Sequence, residues 1–310
     1  MNFTTKIDIP KNLNPIDYNS KIVSLGSCFA ENMGDKFQYF KFQSAINPFG
    51  IIFNPVSIEK IIHRVANEVL FTEEDIFFHN ERWHCFEVHS DLSHSNREDL
   101  LTNLNQILIE TKKQLQEATH IIITYGTSWV YRNIEKDTIV ANCHKVPQKQ
   151  FAKELLTVET IQQSIENTIR LVQSLNPNCN FIFTVSPVRH LKDGFVENQR
   201  SKSHLITAIH YLQSGYFPSY EIMMDELRDY RFYAEDMLHP SQIAIDYIWE
   251  RFKESTILET IYSTMDAVES IQKGLQHRPF NPHSDSHKKF EANLQSKIAT
   301  LVVEYPFMKF

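Results

Sequence analysis

Two hydrophobic patterns alternate along this chain. Short, nearly continuous apolar runs occur at Lys21–Leu25, at His120–Tyr125 and at Phe181–Val185, each stopped by glycine or by Ser186-Pro187. Runs of that kind predict parallel strands buried on both faces. Longer stretches between them repeat apolar residues at helical spacing. After Asn54-Pro55, the residues Val56, Ile58, Ile61, Ile62, Val65 and Val69 mark one face of a helix with proline in its first turn. Helices are also expected over about Ala30–Phe40, from a cap at Asn96 to about Glu117, over about Val158–Leu175, over about Arg200–Gln213, and from Ser241 to about Phe252. Phe42–Ile46 and Tyr220–Met223 read as short strands, and residues 76–90 as a hairpin.

Strands alternating with helices imply right-handed crossovers and an α/β fold, a three-layer α/β/α sandwich with a mainly parallel sheet. Residues 1–255 read as that domain. Residues 256–310, more polar and centred on His283–Lys289, read as a helical extension packed on it or on a partner.

The chain has 310 residues, 42% hydrophobic and 22% charged, as in a folded protein with a large core. A net charge of −7 argues against a nucleic-acid binder, which needs a basic footprint. No apolar run approaches the roughly 18 residues of a membrane-crossing helix, and Met1–Pro10 lacks the apolar stretch of a signal peptide. Four scattered cysteines, Cys28, Cys85, Cys143 and Cys179, suit reduced thiols in a cytoplasm. Fourteen histidines raise the question of a metal. His84, His89 and His94 recur every five residues, which fits neither helix nor strand, and no zinc-like spacing is present. With no phosphate loop or dinucleotide fingerprint either, neither metal nor cofactor is expected.

Ligands of open α/β sheets bind beyond the carboxyl ends of the strands. That rule selects Gly26–Ala30, Asn47–Gly50, Gly126–Trp129 and Ser186–His190, joined near the end of the domain by Asp236–Ser241. Ser27 and Cys28 lie where a strand gives way to a helix, and unpaired N–H groups there favour a thiolate or an oxyanion. Ser27 equally suits an N-cap, and Cys28 a small buried residue. Asp236 and His239, three apart, are placed on one side of a helical turn and can divide labour as the acid and imidazole of a triad. Arg189 suits a substrate carboxylate or phosphate, and equally an acidic neighbour. Asn142 or His144 lines a pocket or belongs to a structured loop; read as strand neighbours, Cys143 and His144 face opposite ways.

Gly26-Ser27-Cys28-Phe29-Ala30 resembles the motif of the GSCFA family, whose domain is related to SGNH (GDSL-like) hydrolases. Asn47–Gly50, Asn142–Lys145, Ser186–His190 and Arg228–Tyr233 extend the resemblance over roughly residues 20–255. It implies an SGNH-like sheet of flavodoxin-like order and an esterase or acyltransferase working through a covalent acyl-enzyme on a small acyl ester, including an acylated glycan or lipid. Asp236 and His239 match the family's terminal Asp-x-x-His. Aligned without a gap, Cys28 takes the nucleophile position; a shift of one gives it to Ser27. Gly50 matches the second-block glycine, and Gly126 opens the third block, where Ser128 replaces the expected oxyanion-hole asparagine. Asn47, Asn142, His144, Arg189 and His190 complete the implied substrate-binding set. The departures at Cys28 and Ser128 keep open a different class of function, a non-catalytic binding module with a degenerate cleft. Oligomeric state is not legible.

Overall fold

A computed structural model describes residues 4–212 and 215–310. Five strands form one parallel sheet: β1 (Lys21–Gly26), β2 (Gln43–Ile46), β5 (His120–Tyr125), β9 (Asn180–Val185) and β10 (Gly215–Phe217), in the order β2-β1-β5-β9-β10. This is the flavodoxin-like arrangement, with β5 in the middle and β1 beside it. Ile22 of β1 stands opposite His120, and Ile122 of β5 opposite Ile182 of β9.

Side chains on a strand alternate faces, so each interior strand feeds two cores. Val23, Leu25, Ile121, Ile123, Tyr125, Phe183 and Val185 point to one layer. It is built from α2 (Pro55–Asn67), α3 (Arg97–Glu117), α4 (Val158–Leu175) and α5 (Phe195–Tyr211). Ile22, Ile122, Ile182 and Phe217 point to the other layer, built from α1 (Cys28–Tyr39), α7 (Gln242–Thr256), α8 (Tyr262–Gln276) and α9 (Asp285–Glu304). The C-terminal helices join this second core through Met265, Val268, Ile271, Leu294 and Leu301, which pack with Phe37 and Trp249.

Local signals set the helix starts. Asn54, Asn96, Thr157, Ser241 and Ser284 each accept an N–H of the first turn of the helix they precede. Elsewhere the structure departs from the sequence expectation. Helix α2 ends at Asn67, so Val69 lies beyond it and is exposed. Helix α5 begins at Phe195, and the expected last residue of that helix, Gln213, lies outside the described residues. Tyr220–Met223 is not a strand. Ser219–Glu221 forms one helical turn, α6, continued in a wider π-helical turn over Ile222–Glu226. Burial of Tyr220, Ile222 and Met223 comes from tertiary covering, and the strand of this segment lies earlier, in Gly215–Phe217.

Two antiparallel units decorate the sheet. The expected hairpin is present as β3 (Ile76–His79) and β4 (Arg82–Cys85). A three-stranded sheet was not anticipated: β6 (Trp129–Asn133), β7 (Thr138–Val140) and β8 (Phe151–Leu155), in the order β7-β6-β8. Strand β6 starts three residues after Gly126, so this sheet stands at the carboxyl edge of β5.

Candidate active site

The Ser27–Cys28 turn is shaped by the crowding of β1 against β5. Gly26 has φ +137°, and a Cβ there would lie 2.1 Å from the Thr124 carbonyl oxygen. Only glycine fits that approach. Its N–H donates to Asn47 Oδ1 at 2.8 Å, so Asn47 braces the turn from β2. Ser27 is buried, donates its N–H to Thr124 O at 3.0 Å, and accepts the Phe29 N–H on its hydroxyl at 3.3 Å. It is the N-cap of α1. Cys28, the first residue of α1, is half-buried, and of the two its side chain is the accessible one. Burial, then Glu31, push its thiol up; Lys202 and the N–H groups of Phe29 and Cys28 pull it down.

Asp236 and His239 come together as the spacing predicts, but on an Asx-type turn rather than a helical one. Asp236 Oδ1 accepts the N–H of Leu238 at 2.9 Å and of His239 at 3.0 Å, with Met237 between them at φ +58°. His239 Nδ1 donates to Asp236 Oδ2 at 2.6 Å. The His239 N–H, the His239 ring and the Leu238 N–H hold the Asp236 carboxyl down to about 2. With Nδ1 committed, Nε2 is the nitrogen left to exchange protons. The Arg189 N–H donates to Leu238 O at 3.1 Å, fastening this turn to the loop after β9.

Gly126, the residue after β5, borders the Ser27 turn. A Cβ built on it would be 2.8 Å from Phe53 Cβ and 3.4 Å from both His190 Nε2 and Ser27 Cβ. The His190 ring therefore flanks the Ser27–Cys28 turn. Its Nε2 is buried with no hydrogen-bond partner among the described residues. Burial, then Lys202, then His239 pull its pKa down to about 3, which keeps the ring neutral. Behind it sits Lys202 of α5, fully buried, with Nζ donating to Gly126 O at 2.6 Å and Ser186 O at 2.7 Å. Burial lowers its pKa to about 7, and Cys28 counters that. Among the described residues no hydrogen bond joins His239 to Ser27 or Cys28.

The two oxyanion donors expected from the sequence are engaged elsewhere. The Gly50 N–H donates to Asn47 O at 2.7 Å, closing a turn in which Gly50 has φ +72° and packs on His89. Ser128 is fully buried; its hydroxyl donates to Ser201 O at 3.0 Å and its N–H to Ser201 Oγ at 2.8 Å. A first-turn N–H at Cys28, left free by the helix geometry, and the unpartnered His190 Nε2 near Gly126 remain uncommitted among the described residues.

Residues 21–252 match the GSCFA family, and residues 268–310 match the description GSCFA domain protein, C-terminal domain. The chain belongs to the GSCFA family. No curated protein matches it. The first match takes in every residue of the site described above, from the Ser27–Cys28 turn to His239.

In this GSCFA protein a cavity of about 340 Å³ adjoins the site, walled by Phe53, Trp129, Val140, Ala141 and Phe151 and bordered by Asn142. Phe53 is shared: its ring centroid lies 6.2 Å from that of His190, and its carbonyl accepts the Gly126 N–H at 2.8 Å. His144 does not line this cavity. Asn142–Lys145 is a turn, with His144 and Lys145 at φ +49° and +59°, rather than a strand with alternating faces. His144 Nε2 donates to Cys85 O at 2.7 Å among Phe77 and His84, and burial pulls its pKa down to about 4. The Arg189 guanidinium stacks on Tyr233 at 3.9 Å and Tyr230 at 5.1 Å, its Nε and Nη2 buried without partners among the described residues. A larger hollow of about 990 Å³ lies between Ile7–Asn14 and β10, and none of the candidate site residues lines it.

Lys202 and Phe53 are absent from the sequence reading. A signal for Lys202 exists: Asn198, Ser201, Leu205, Ala208 and Ile209 form the buried stripe of α5, and Lys202 falls within it. A lysine on the apolar face of a helix is seldom left without a task.

Proposed function

We propose that this GSCFA protein is an SGNH-like esterase or acyltransferase that works through a thioester on Cys28. The observation that carries the reading is the division at the turn. Ser27 is the buried cap, Cys28 is the accessible side chain at a helix N-terminus, and an Asp236–His239 pair stands on the same carboxyl edge of the sheet. In the reaction the Cys28 proton passes to His239 Nε2 as the sulfur attacks the ester carbonyl. The tetrahedral intermediate collapses, its C–O bond breaks, and the imidazolium returns the proton to the departing alkoxide. Water or an acceptor alcohol then takes the acyl group, with His239 again removing and returning one proton. Because His239 makes no hydrogen bond to Cys28 in the free protein, the reading requires the half-exposed imidazole to close on the thiol when an ester is bound.

The Cys28 N–H and His190 Nε2 are the donors we assign to the oxyanion. The Phe53–Trp129 cavity suits an apolar acyl group, and Arg189 suits an anionic substituent on the substrate. A thiol nucleophile suits a compartment that keeps cysteines reduced, such as a cytoplasm. The commitment of Gly50 and Ser128 to internal bonds favours the second reading, a binding module that has kept the cleft without the reaction.

Mass spectrometry of the protein after reaction with p-nitrophenyl acetate separates them. The enzyme reading expects acetyl on the Cys28 peptide, formed at least a hundredfold more slowly in His239→Ala, and no turnover in Cys28→Ala. Acylation that ignores His239, or none at Cys28, refutes it.

A further inference from the structure

The Phe53–Trp129 cavity carries charge of one sign. Its lining includes Lys145 and Lys192 and no aspartate or glutamate, in a chain whose net charge is −7. Two separate elements bring the lysines there. Lys145 ends the Asn142–Lys145 turn, which His144 Nε2 pins to Cys85 O at 2.7 Å. Lys192 lies in the short turn Leu191–Asp193 after β9, tied to β8 by the ion pair of Asp193 with Lys153. That pair commits the carboxylate that follows Lys192 in the chain. Neither Lys145 nor Lys192 has an ion-pair partner among the described residues, and both side chains are exposed at the rim.

The polar groups in the walls add no negative charge. Burial pushes the Cys143 thiol up to about 11, so it stays protonated at neutral pH. Asn142 Oδ1 accepts the His144 N–H at 2.8 Å, which leaves its NH₂ end as a donor uncommitted among the described residues. Asn54 caps α2 and is bonded to Ser57 through both ends of its amide. The Trp129 indole N–H donates to Glu197 O at 3.3 Å, so its ring adds apolar surface to that of Phe53, Val140, Ala141 and Phe151. Apolar walls with a few convergent polar groups are the make-up of a small-molecule site, and about 340 Å³ is at the small end of such sites.

We infer that this cavity binds a small amphipathic carboxylate, with its apolar body among Phe53, Trp129 and Phe151 and its charge beside Lys145 and Lys192. The inference goes beyond the acyl-transfer reading and holds whether or not Cys28 reacts; for that reading it adds an anionic terminus to the acyl group. A carboxylate seated there meets both ammonium groups across a partly apolar surface, where screening is weaker than in open water.

Isothermal titration calorimetry on the full chain at low ionic strength compares octanoate, 1-octanol and octylammonium. A protein of net charge −7 favours cations by default, so a preference for the anion has to be local. Octanoate is expected to bind at one site about tenfold more tightly than either of the others, and the preference to shrink as salt is raised. In the double variant Lys145→Gln, Lys192→Gln, octanoate should weaken about tenfold while 1-octanol is unchanged. Cys143→Trp, which fills the cavity from a half-buried turn position, should abolish octanoate binding. The lysine substitutions are at exposed positions and keep the fold, so they carry the test even where Cys143→Trp does not fold. No octanoate binding, equal affinity for octanoate and 1-octanol, octanoate affinity unmoved in the double variant, or binding that persists in a folded Cys143→Trp overturns the inference. Selective octanoate binding by a protein that p-nitrophenyl acetate does not acetylate at Cys28 would sink the esterase reading and leave the carboxylate site standing.

Discussion

Replacing Asp236 by asparagine gives the sharpest test of the dyad, because the surrounding turn dictates how the amide must sit. Asp236 Oδ1 accepts two backbone N–H groups, from Leu238 and His239, whereas Oδ2 meets only His239 Nδ1. In Asp236→Asn the amide oxygen has to take the Oδ1 place, since an NH₂ group there would face two donors. The NH₂ group then occupies the Oδ2 place, 2.6 Å from Nδ1 in the parent. A donor facing Nδ1 makes that nitrogen an acceptor and moves the ring proton to Nε2. An imidazole protonated at Nε2 cannot accept the Cys28 proton. The two backbone bonds survive, so the turn and its stability are retained while the base is lost. The penalty in triads whose histidine is forced into the wrong tautomer is roughly 10⁴-fold in kcat. We expect a fall of about 10³- to 10⁴-fold in the acylation rate with p-nitrophenyl acetate, measured by stopped flow, with the urea unfolding midpoint unchanged. An Asp236→Asn variant that acylates at the parent rate would refute the role of the pair. A variant that unfolds early would refute the argument about which amide atom faces the backbone.

Ser27→Ala should lose about 1 kcal/mol of stability in urea unfolding, the usual effect of removing an N-cap, and should keep its acyl transfer; abolished transfer would move the nucleophile to Ser27. His144 supplies a pH test. Its pKa is about 4 in the fold and 6.5 when exposed, so between those values the unfolded chain binds more protons and stability falls as pH falls. His144→Gln, whose amide can still donate to Cys85 O, should flatten that decline by up to about 3 kcal/mol between pH 6.5 and 4, read from urea unfolding at each pH. An unchanged slope would show that the ring is not held neutral.

Sequence and structure agree wherever the interaction is local or the pattern is long. Asn96 caps a helix that ends at Glu117, and Val158–Leu175 is helical over its whole expected span, because caps and 3.6-residue periodicity are written in neighbouring residues. His120–Tyr125 reads as a central strand because a strand covered on both faces has to be apolar throughout. The strands at 129–155 escaped notice because one face is only partly covered and their pairing joins residues as far apart as Trp129 and Leu155. Asp236 and His239 were recognisable from spacing, although the turn that joins them is of a different kind. That Gly50 and Ser128 are already hydrogen-bonded could not be read beforehand: a free donor and a bonded one are the same residue in a sequence, and only the position of Asn47 O or Ser201 distinguishes them.

The amino-acid sequence alone determined the layered α/β architecture, the strand ends at which the candidate residues gather, and the residue types available there. Tertiary structure decided which atoms remain free. It turned the Ser27 hydroxyl into a cap, seated Lys202 on the Gly126 and Ser186 carbonyls, and brought the His190 ring against Gly126. Backbone propensity and hydrophobic period act over a few residues, whereas burial and electrostatic neighbourhood depend on segments distant in the chain that meet only once the sheet is assembled.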